Sequence, residues 1–212
     1  MDKHTRRFTA IDRLLIGLQQ LAPPKPTRVI PSPAENLPDD PLSDEQRRHS
    51  AGLMRVNHAG EIAAQGLYTG QAVTARAQAT RDLLNQAGLE EQYHLQWCTQ
   101  RLDELSSRPS QLTPLWHGGS IVIGGINGLL GDPWSLGFVA ETEHQVEKHL
   151  QGHLQRLPAD DHRSRAVVEQ MLNDEAGHRV NATIAGGKTL PWPVRLAMKA
   201  TAKVMTTTAY RL

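Results

Sequence analysis

The chain has 212 residues, of which 39% are hydrophobic and only 4% aromatic, and it carries 23 basic against 22 acidic side chains. This length suits one domain with appendages, and the apolar fraction is enough for a helical core. The net charge of +1 argues against nucleic acid as the main partner, because there is no basic surplus to neutralise phosphates. The single Cys98 excludes an internal disulfide framework and fits a reducing compartment, where we expect it to be a small buried apolar residue.

The first 42 residues differ in composition from the rest. The start is polar and lacks the apolar stretch of a signal peptide, so we expect none. Residues 5–21 are predicted to form a short amphipathic helix, either packed on the bundle or lying on a membrane surface. Residues 22–43 carry seven prolines, which predict an extended linker outside the core, mobile unless docked. The predicted division is therefore 1–42 for the helix and linker, and 43–212 for the main domain.

The main domain is predicted to be all-α. Apolar positions at helical spacing predict four long helices, from near Ser43 to the mid-seventies, over about 81–106, from after Asp132-Pro133 to about 156, and over about 161–184. A last amphipathic helix is expected after Pro191 and Pro193. Four long helices of this kind are typical of a helical bundle.

Residues 112–140 stand out because charge is nearly absent. From Leu112 to Gly131 there is no Asp, Glu, Lys or Arg, and there are six glycines. The stretch could span a bilayer by length alone. However, it connects two helices of one bundle, so we expect a buried or interfacial segment, whose small residues allow close backbone approach or leave room for a flat apolar ligand. The run GGINGLLG at 124–131 lacks the β-α context of a dinucleotide motif, so no dedicated dinucleotide domain is expected.

The most informative pattern is a Glu-x-x-His motif that occurs twice, each time with a lone Glu about one helical hairpin before it. The first copy has Glu61 30 residues before the pair Glu91/His94, and the second has Glu143 32 residues before the pair Glu175/His178. Side chains at i and i+3 project from one helix face. Four carboxylates and two imidazoles are the ligand set of a carboxylate-bridged di-metal site in a four-helix bundle. Such ligands suit iron or manganese, and imidazole adds affinity for iron.

The spacing of the two copies supports one shared site. The midpoint of the second copy is near residue 159, in the helix-stop sequence LPADD at 157–161. The midpoint of the first is near residue 76, where the signal is weaker and Thr80 is the expected N-cap of the next helix. Each ligand then lies about 15 residues, or roughly 22 Å of helix, from its turn. A third pair, Glu141/His144, has no upstream Glu at hairpin distance and is interpreted as a chance match.

The residues around these positions resemble a known family. The runs are RVNHAGE at 55–61, YTGQ at 68–71, EEQYHL at 90–95, ETEHQVEKHL at 141–150 and NDEAGH at 173–178. Together they closely resemble the demethoxyubiquinone hydroxylases of ubiquinone biosynthesis, from about Ser43 to the C-terminus. The resemblance implies a ferritin-like four-helix bundle, with an extra apolar connecting segment and amphipathic terminal helices, that holds two iron ions per subunit.

By this resemblance six residues match the family's iron ligands and are the expected catalytic residues: Glu61, Glu91, His94, Glu143, Glu175 and His178. Glu91 and Glu175, each paired with its His, are expected to bridge the metals, and Glu61 and Glu143 to bind terminally. Glu141 and Glu147 lie on the same helix as Glu143, and whether either also ligates stays open, with Glu147 a candidate for supporting the ligands from behind. His149 is a further candidate for that supporting role. Tyr68 and His58 are weaker candidates, each alternatively a packed helix residue.

The resemblance implies an O2-dependent monooxygenase, a 3-demethoxyubiquinol 3-hydroxylase, that hydroxylates the ring of a demethoxylated polyprenyl benzoquinol. One oxygen atom enters the ring and the other leaves as water, and two further electrons come from a reduced pyridine nucleotide or from the quinol itself. The prenyl tail implies a peripheral protein on the cytoplasmic face of the inner or cell membrane, in contact through segment 112–140 and the last helix. We also expect that the protein contacts partner proteins of ubiquinone biosynthesis and that it can form an oligomer.

Three other interpretations stay open. The first is a ferritin-like iron oxidase or peroxidase, although the proline-rich arm and apolar connector fit a storage cage poorly. The second is a non-enzymatic, quinone-binding membrane protein with a vestigial site. The third is a di-iron hydroxylase that acts on tRNA, against which the near-neutral charge balance counts.

Overall fold

A computed structural model describes residues 30–38 and 41–212. Within these ranges the chain forms six helices and no strand. They are α1 (Asp44–Thr74), α2 (Gln78–Glu104), α3 (Thr113–Leu129), α4 (Asp132–Arg156), α5 (His162–Ile184) and α6 (Trp192–Ala209). Two hairpins, α1–α2 and α4–α5, pack together as a four-helix bundle, while α3 and α6 lie on its outside. The all-α bundle expected from the sequence is confirmed.

Two helix starts follow local capping signals. Ser43 caps α1 in a capping box, because its side chain accepts from the Gln46 backbone N–H and its own N–H donates to the Gln46 side chain. Asp161 caps α5 by accepting from the Ser164 backbone N–H at 2.9 Å. Both starts agree with the positions predicted from the sequence.

The start of α2 differs from the prediction. The helix begins at Gln78 with Ala77 as N-cap, so the expected cap at Thr80 is wrong. The Asp132 carboxylate, at the start of α4, accepts from the backbone N–H groups of Arg76 at 2.9 Å and Ala77 at 2.8 Å. A tertiary contact from the other hairpin therefore holds the turn before α2, and no side chain caps the helix itself. The turn itself lies at the predicted midpoint.

Helix α3 packs against α1 with almost no side chains between them. A Cβ added to Gly70 would lie 2.1 Å from the backbone oxygen of Ile121, and one added to Gly124 would lie 2.2 Å from that of Leu67. Only glycine permits two helix backbones to approach this closely. The packing role predicted for the glycines of this segment is confirmed for Gly124 and Gly128, which lie against Leu67 and Thr74, but not for Gly118 and Gly119, where an added Cβ would meet no atom within 4 Å.

The outer side of α3 exposes apolar side chains, so the segment is not buried as a whole. The exposed residues on and just after this helix include Leu115, Val122, Ile126, Leu129 and Leu130. Of the two placements expected for residues 112–140, burial applies to 135–139 in α4, whereas these exposures argue against burial of α3 and favour an interface for that helix. Among the described residues, no helix has the length and apolar character needed to cross a membrane.

The proline-rich segment is docked on the bundle where it is described. Ala34 is buried in the core, Ile30 packs against it, and the Arg163 guanidinium donates to the Leu37 carbonyl. The expectation that the linker lies outside the core is therefore wrong for residues 30–38, because turns there direct small apolar side chains onto the bundle. The predicted helix at 5–21 and the rest of the linker up to residue 29 lie outside the described residues.

The bundle interior contains two apolar clusters of different character. One, here the large-residue cluster, includes Leu53, Met54, Trp97, Leu102, Leu150 and Met171, together with the buried Cys98. The other, here the alanine-rich cluster, consists of Ala64, Tyr68, Ala72, Ala75, Leu84, Ala87, Val139 and Ala182. The burial expected for Cys98 is confirmed. Along each of the four bundle helices the predicted ligands fall between these two clusters.

Helix α6 is held mainly at its C-terminal end. Ala209 is its only buried residue. The hydroxyl of Tyr210 forms a hydrogen bond with His49 Nδ1 at 2.7 Å, and Arg55 donates to the Tyr210 carbonyl at 2.9 Å. The ring of Tyr210 lies directly over Gly52, where a Cβ would clash with it. The rest of the helix leaves Trp192, Leu196 and Val204 exposed.

Candidate metal centre

Six polar side chains converge in the middle of the bundle, each no more than 5% exposed. They are the six predicted ligands, Glu61 from α1, Glu91 and His94 from α2, Glu143 from α4, and Glu175 and His178 from α5. Each pair of i and i+3 residues projects from one face of its helix, as the spacing predicted. The structure thus brings all six to one level of the bundle.

The first half of the centre surrounds Nδ1 of His94. This atom lies 3.5 Å from Glu61 Oε2 and 3.3 Å from Glu91 Oε2. It also lies 3.3 Å from Glu175 Oε1, on the opposite hairpin. Ligand atoms of these four residues all lie within 4.8 Å of one another, so the group could hold one metal ion.

The second half surrounds Nδ1 of His178. This atom lies 3.3 Å from Glu91 Oε1 and 3.1 Å from Glu175 Oε2. Glu91 and Glu175 therefore each present one oxygen to His94 and the other oxygen to His178. This is the arrangement that two bridging carboxylates between adjacent metal ions require.

The outer nitrogens of both imidazoles are held by a second pair of acids. Nε2 of His94 lies 3.0 Å from Asp174 Oδ2, and Nε2 of His178 lies 2.6 Å from Glu90 Oε2. Each acid directly precedes the Glu of its own motif but supports the His of the other motif. An Nε2–H that donates to a carboxylate leaves the Nδ1 lone pair free for a metal.

Sequence reasoning missed these two supporting acids. The available signal was an acidic residue immediately before each Glu-x-x-His, in EEQYH at 90–94 and DEAGH at 174–178. What the pattern did not reveal is that the support crosses between the hairpins.

Tyr68 contacts the fourth carboxylate directly. Its hydroxyl donates to Glu143 Oε1 inside the bundle. Burial and then the adjacent Glu143 carboxylate hold the pKa of the Tyr68 phenol well above its usual value, so the group stays a donor. This contact is the one expected of a residue that supports Glu143 from behind, and that role of Tyr68 stays a prediction.

The two other candidate supporting residues have no such contact among the described residues. His58 is buried, its Nδ1 has no partner within the described ranges, and burial lowers the pKa of its imidazole to about 4. His149 packs its ring against His153, with the centroids 3.9 Å apart. Burial and the nearby Arg156 lower the pKa of His149 to about 4. A supporting role for His58 or His149 stays a prediction.

The three acids of α4 have different surroundings. Only Glu143 is buried, whereas Glu147 pairs with Arg179 and Glu141 accepts from Gln145 at 2.7 Å. Neither of these two carboxylates makes a described contact with the six central residues. Their partners on the bundle surface favour Glu143 as the residue of α4 that faces the centre.

The electrostatics of the centre favour bound cations. Burial and the neighbouring carboxylates, Glu91 for Glu61 and Glu175 for Glu143, hold the pKa of Glu61 and of Glu143 well above the usual range. Oε1 of Glu91 accepts no hydrogen bond within the described part of the chain. Two divalent ions would balance four carboxylates and two neutral imidazoles, and oxygen ligands with imidazole suit iron or manganese. The residues present therefore fit a pair of such ions.

The fold and the centre together define a class of protein, a ferritin-like helical bundle with a buried carboxylate–histidine group that could hold metal. A family described as ubiquinone biosynthesis protein COQ7 matches residues 48–209. The chain belongs to the ubiquinone biosynthesis protein COQ7 family, which confirms the resemblance drawn from its motifs.

Three relatives are similar in sequence to this chain over most of its length, and each carries the name 3-demethoxyubiquinol 3-hydroxylase. The protein from Ralstonia pickettii (strain 12J) is 53% identical over 100% of both chains. The protein from Azoarcus sp. (strain BH72) is 56% identical over 87% of this chain and 89% of its own length. The protein from Bordetella avium (strain 197N) is 60% identical over 81% of this chain and 80% of its own.

Proposed function

We propose that the protein is an O2-dependent monooxygenase that hydroxylates the ring of 3-demethoxyubiquinol in ubiquinone biosynthesis. The observation that carries the proposal is the shared contact of Glu91 and Glu175 with both His94 and His178. The printed name of the full-length relative from Ralstonia pickettii, 53% identical, supports the choice of substrate.

In this proposal the centre holds two iron ions. Glu91 and Glu175, each in contact with both imidazoles, would help to hold both ions, together with Glu61 and His94 on one side and Glu143 and His178 on the other. Bound iron supplies the activation of O2, one atom of which enters the quinol ring. The two further electrons that the reaction needs come from a reduced pyridine nucleotide or from the quinol.

The chain's own residues then hold, orient and shield the centre. Asp174 and Glu90 fix the orientation of the two imidazoles, so that Nδ1 of each faces inward. Tyr68 orients Glu143 through its hydroxyl. The apolar clusters on both sides of the centre exclude bulk water and strengthen the electrostatic contacts within it.

The protein is further proposed to bind the cytoplasmic face of the inner membrane peripherally, where a polyprenyl substrate resides. The exposed apolar side chains of α3 and α6 support this proposal. No Asp or Glu occurs at 105–131 or 176–212, whereas α6 carries Arg195, Lys199 and Lys203. Each cation close to an anionic lipid surface contributes about 1 kcal/mol of attraction.

The proposed reaction is tested in a bacterial strain that lacks its own hydroxylase and accumulates the demethoxylated quinone. Expression of the wild-type chain should restore ubiquinone in lipid extracts. Glu91→Ala should fail although it is expressed and helical, because one bridging carboxylate is lost. Glu141→Ala is the matched control, since this acid lies outside the centre, and it should restore ubiquinone.

Three outcomes would decide against the proposal or part of it. Rescue by Glu91→Ala would show that the reaction does not require the centre. Failure of the wild-type chain to rescue, together with rapid loading of iron into large assemblies, would favour the iron oxidase interpretation. Purified protein that binds no iron under reducing conditions would overturn the proposed cofactor.

A further inference from the structure

A cavity of about 320 Å³ adjoins the centre between α2, α4 and α5. Its wall contains His178 itself and Glu90, the acid that holds His178. Ala87 and Val139 also line it, and each lies four residues before a central carboxylate on its own helix. The cavity therefore lies beside His178 and about one helical turn from Glu91 and Glu143, and its volume lies at the small end of ligand pockets.

The duplicated motif shows why the cavity lies on this side of the centre. Trp97 follows His94 by three residues, and Asn181 follows His178 by three. The Trp97 ring is buried 5.3 Å from the His94 ring, and its indole N–H donates to the Ile30 carbonyl at 3.2 Å. Asn181 instead lines the cavity. The position three residues after the His is thus occupied by a buried indole in one half of the centre and by a smaller, exposed amide at the cavity in the other.

The surroundings of the cavity reinforce this asymmetry. It lies on the side of the alanine-rich cluster, to which Ala87 and Val139 belong. Small side chains there leave space that leucine and methionine fill on the other side of the centre. The space that these small side chains leave beside the centre thus lies at the alanine-rich end of the bundle.

The same end of the bundle is apolar on its outside. Contacts between Asp132 and Arg76, and between Lys188 and Pro133, show that the ends of α1 and α5 meet the start of α4 there. Ile184 lines the cavity and is 79% exposed. Other exposed apolar side chains at this end are Val73, Leu129, Leu130 and Trp192. A ring held in the cavity would have an apolar path along which a hydrocarbon tail could leave.

We propose that the quinol ring occupies this cavity, that it enters from the His178 side, and that Asn181 both keeps the entrance open and binds a ring oxygen. The inference rests on the proposed function. A carboxamide has two N–H donors and a carbonyl acceptor, so Asn181 can pair with either a hydroxyl or a methoxy oxygen of the ring. In a pocket that also contains Glu90 and His178, a carboxamide at a fixed position contributes to which ring carbon faces the centre.

The test uses the iron-loaded, full-length protein and a 3-demethoxyubiquinol with a two-isoprene tail, dispersed in detergent. Asn181→Trp copies Trp97 and should block the cavity. Turnover is expected to fall at least about 100-fold while iron content and helical content stay at wild-type values. Asn181→Ala keeps the space but removes the amide, so KM should rise about tenfold with a smaller change in kcat, as for the loss of one hydrogen bond.

Binding is measured separately by equilibrium dialysis of the corresponding quinone with iron-free protein. Wild type should bind it, and Asn181→Trp should not. Thr183→Trp is the matched control, because this exposed residue of α5 does not line the cavity, and it should bind and react as wild type does. If Asn181→Trp folds poorly, Ala185→Phe provides a second way to block the cavity, because Ala185 is an exposed residue of the cavity wall.

Wild-type turnover and binding in a folded Asn181→Trp or Ala185→Phe protein would overturn the inference and leave the proposed function intact. A wild-type protein that holds iron but neither binds nor hydroxylates the quinol would overturn the proposed function instead. Loss of iron from Asn181→Trp together with unimpaired quinone binding would also count against a role at the entrance.

Discussion

Asp174 on α5 holds His94 on α2, with the carboxylate Oδ2 3.0 Å from the imidazole Nε2. Glu90 on α2 holds His178 on α5 in the same manner, at 2.6 Å. Each half of the centre therefore depends on an acid that belongs to the other copy of the motif. This exchange couples the two hairpins at the level of the ligands, so that a change on one helix alters a ligand on the other.

Replacement of Asp174 by Asn should weaken metal binding without unfolding the protein. The amide oxygen can still accept a hydrogen bond from His94, but the negative charge that raises ligand basicity is lost. Mutation of such a supporting partner typically lowers metal affinity 10- to 100-fold, and we expect Asp174→Asn to lower it about tenfold. Competition between the protein and a chromophoric chelator for Fe²⁺ measures the change.

Glu169→Gln is the control for this measurement, because it removes an exposed charge from the same helix. It should leave the affinity unchanged. Equal affinities for wild type and Asp174→Asn would contradict the proposed support of His94.

The contact between α1 and α3 predicts opposite effects for two glycines of one helix. Gly124→Ala should destabilise the protein by about 1–3 kcal/mol, because the new Cβ would lie 2.2 Å from the Leu67 carbonyl oxygen. A Cβ added at Gly118 would meet no atom within 4 Å. Gly118→Ala should therefore raise the free energy of unfolding by about 0.5–1 kcal/mol, because it lowers the entropy of the unfolded chain. Urea unfolding followed by circular dichroism compares the two variants with wild type. A neutral Gly124→Ala would mean that α3 does not lie this close to α1.

Membrane binding should depend on the outer face of α3. The double variant Val122→Asp/Ile126→Asp places two charges on exposed positions and should reduce flotation with vesicles of anionic phospholipid at least about tenfold. Gln151→Asp adds a charge to an exposed position on α4 and should float as wild type does. Hydroxylation of a short-tailed quinol in detergent should persist in the double variant, because these residues lie away from the centre. If the double variant floats as well as wild type does, the outer face of α3 is not the membrane contact.

The adjacent rings of His149 and His153 predict a loss of stability in acid. Burial lowers the pKa of His149 to about 4, and burial together with the nearby His149 lowers that of His153 to about 2. Both values lie below the unfolded value of about 6.5, so the unfolded chain takes up protons first as pH falls. The contribution of each imidazole to the free energy of unfolding is present above about pH 6.5 and should decrease by on the order of 3 kcal/mol towards pH 4.

His153→Leu should make this dependence less steep, because one of the two buried imidazoles is removed. Unfolding free energies of the iron-free protein at a series of pH values between 4 and 7 provide the measurement. His144→Gln, which removes a partly exposed histidine from the same helix, should keep the wild-type slope. A wild-type slope in His153→Leu would show that other groups cause the acid sensitivity.

The helical bundle and the six central residues could be predicted from the order and spacing of residues along the chain. The i and i+3 spacing within each motif follows from helix geometry, which is local, and the equal distances of Glu61 and Glu91 from their turn follow from chain length alone. The start of α1 at Ser43 also depends only on neighbouring residues. These features were predictable because no contact between distant segments is needed to produce them.

The side chains that meet across helices could not be predicted in this way, because their contacts form only when the helices pack. Three such contacts were missed. Asp174 bonds to His94, Asp132 bonds to the turn before α2, and Ala34 lies in the core. Such contacts depend on the relative rotation and closeness of packed helices, which one-dimensional periodicity does not contain. The cavity beside Asn181 is of the same kind, because an open space exists only once every surrounding side chain has its place.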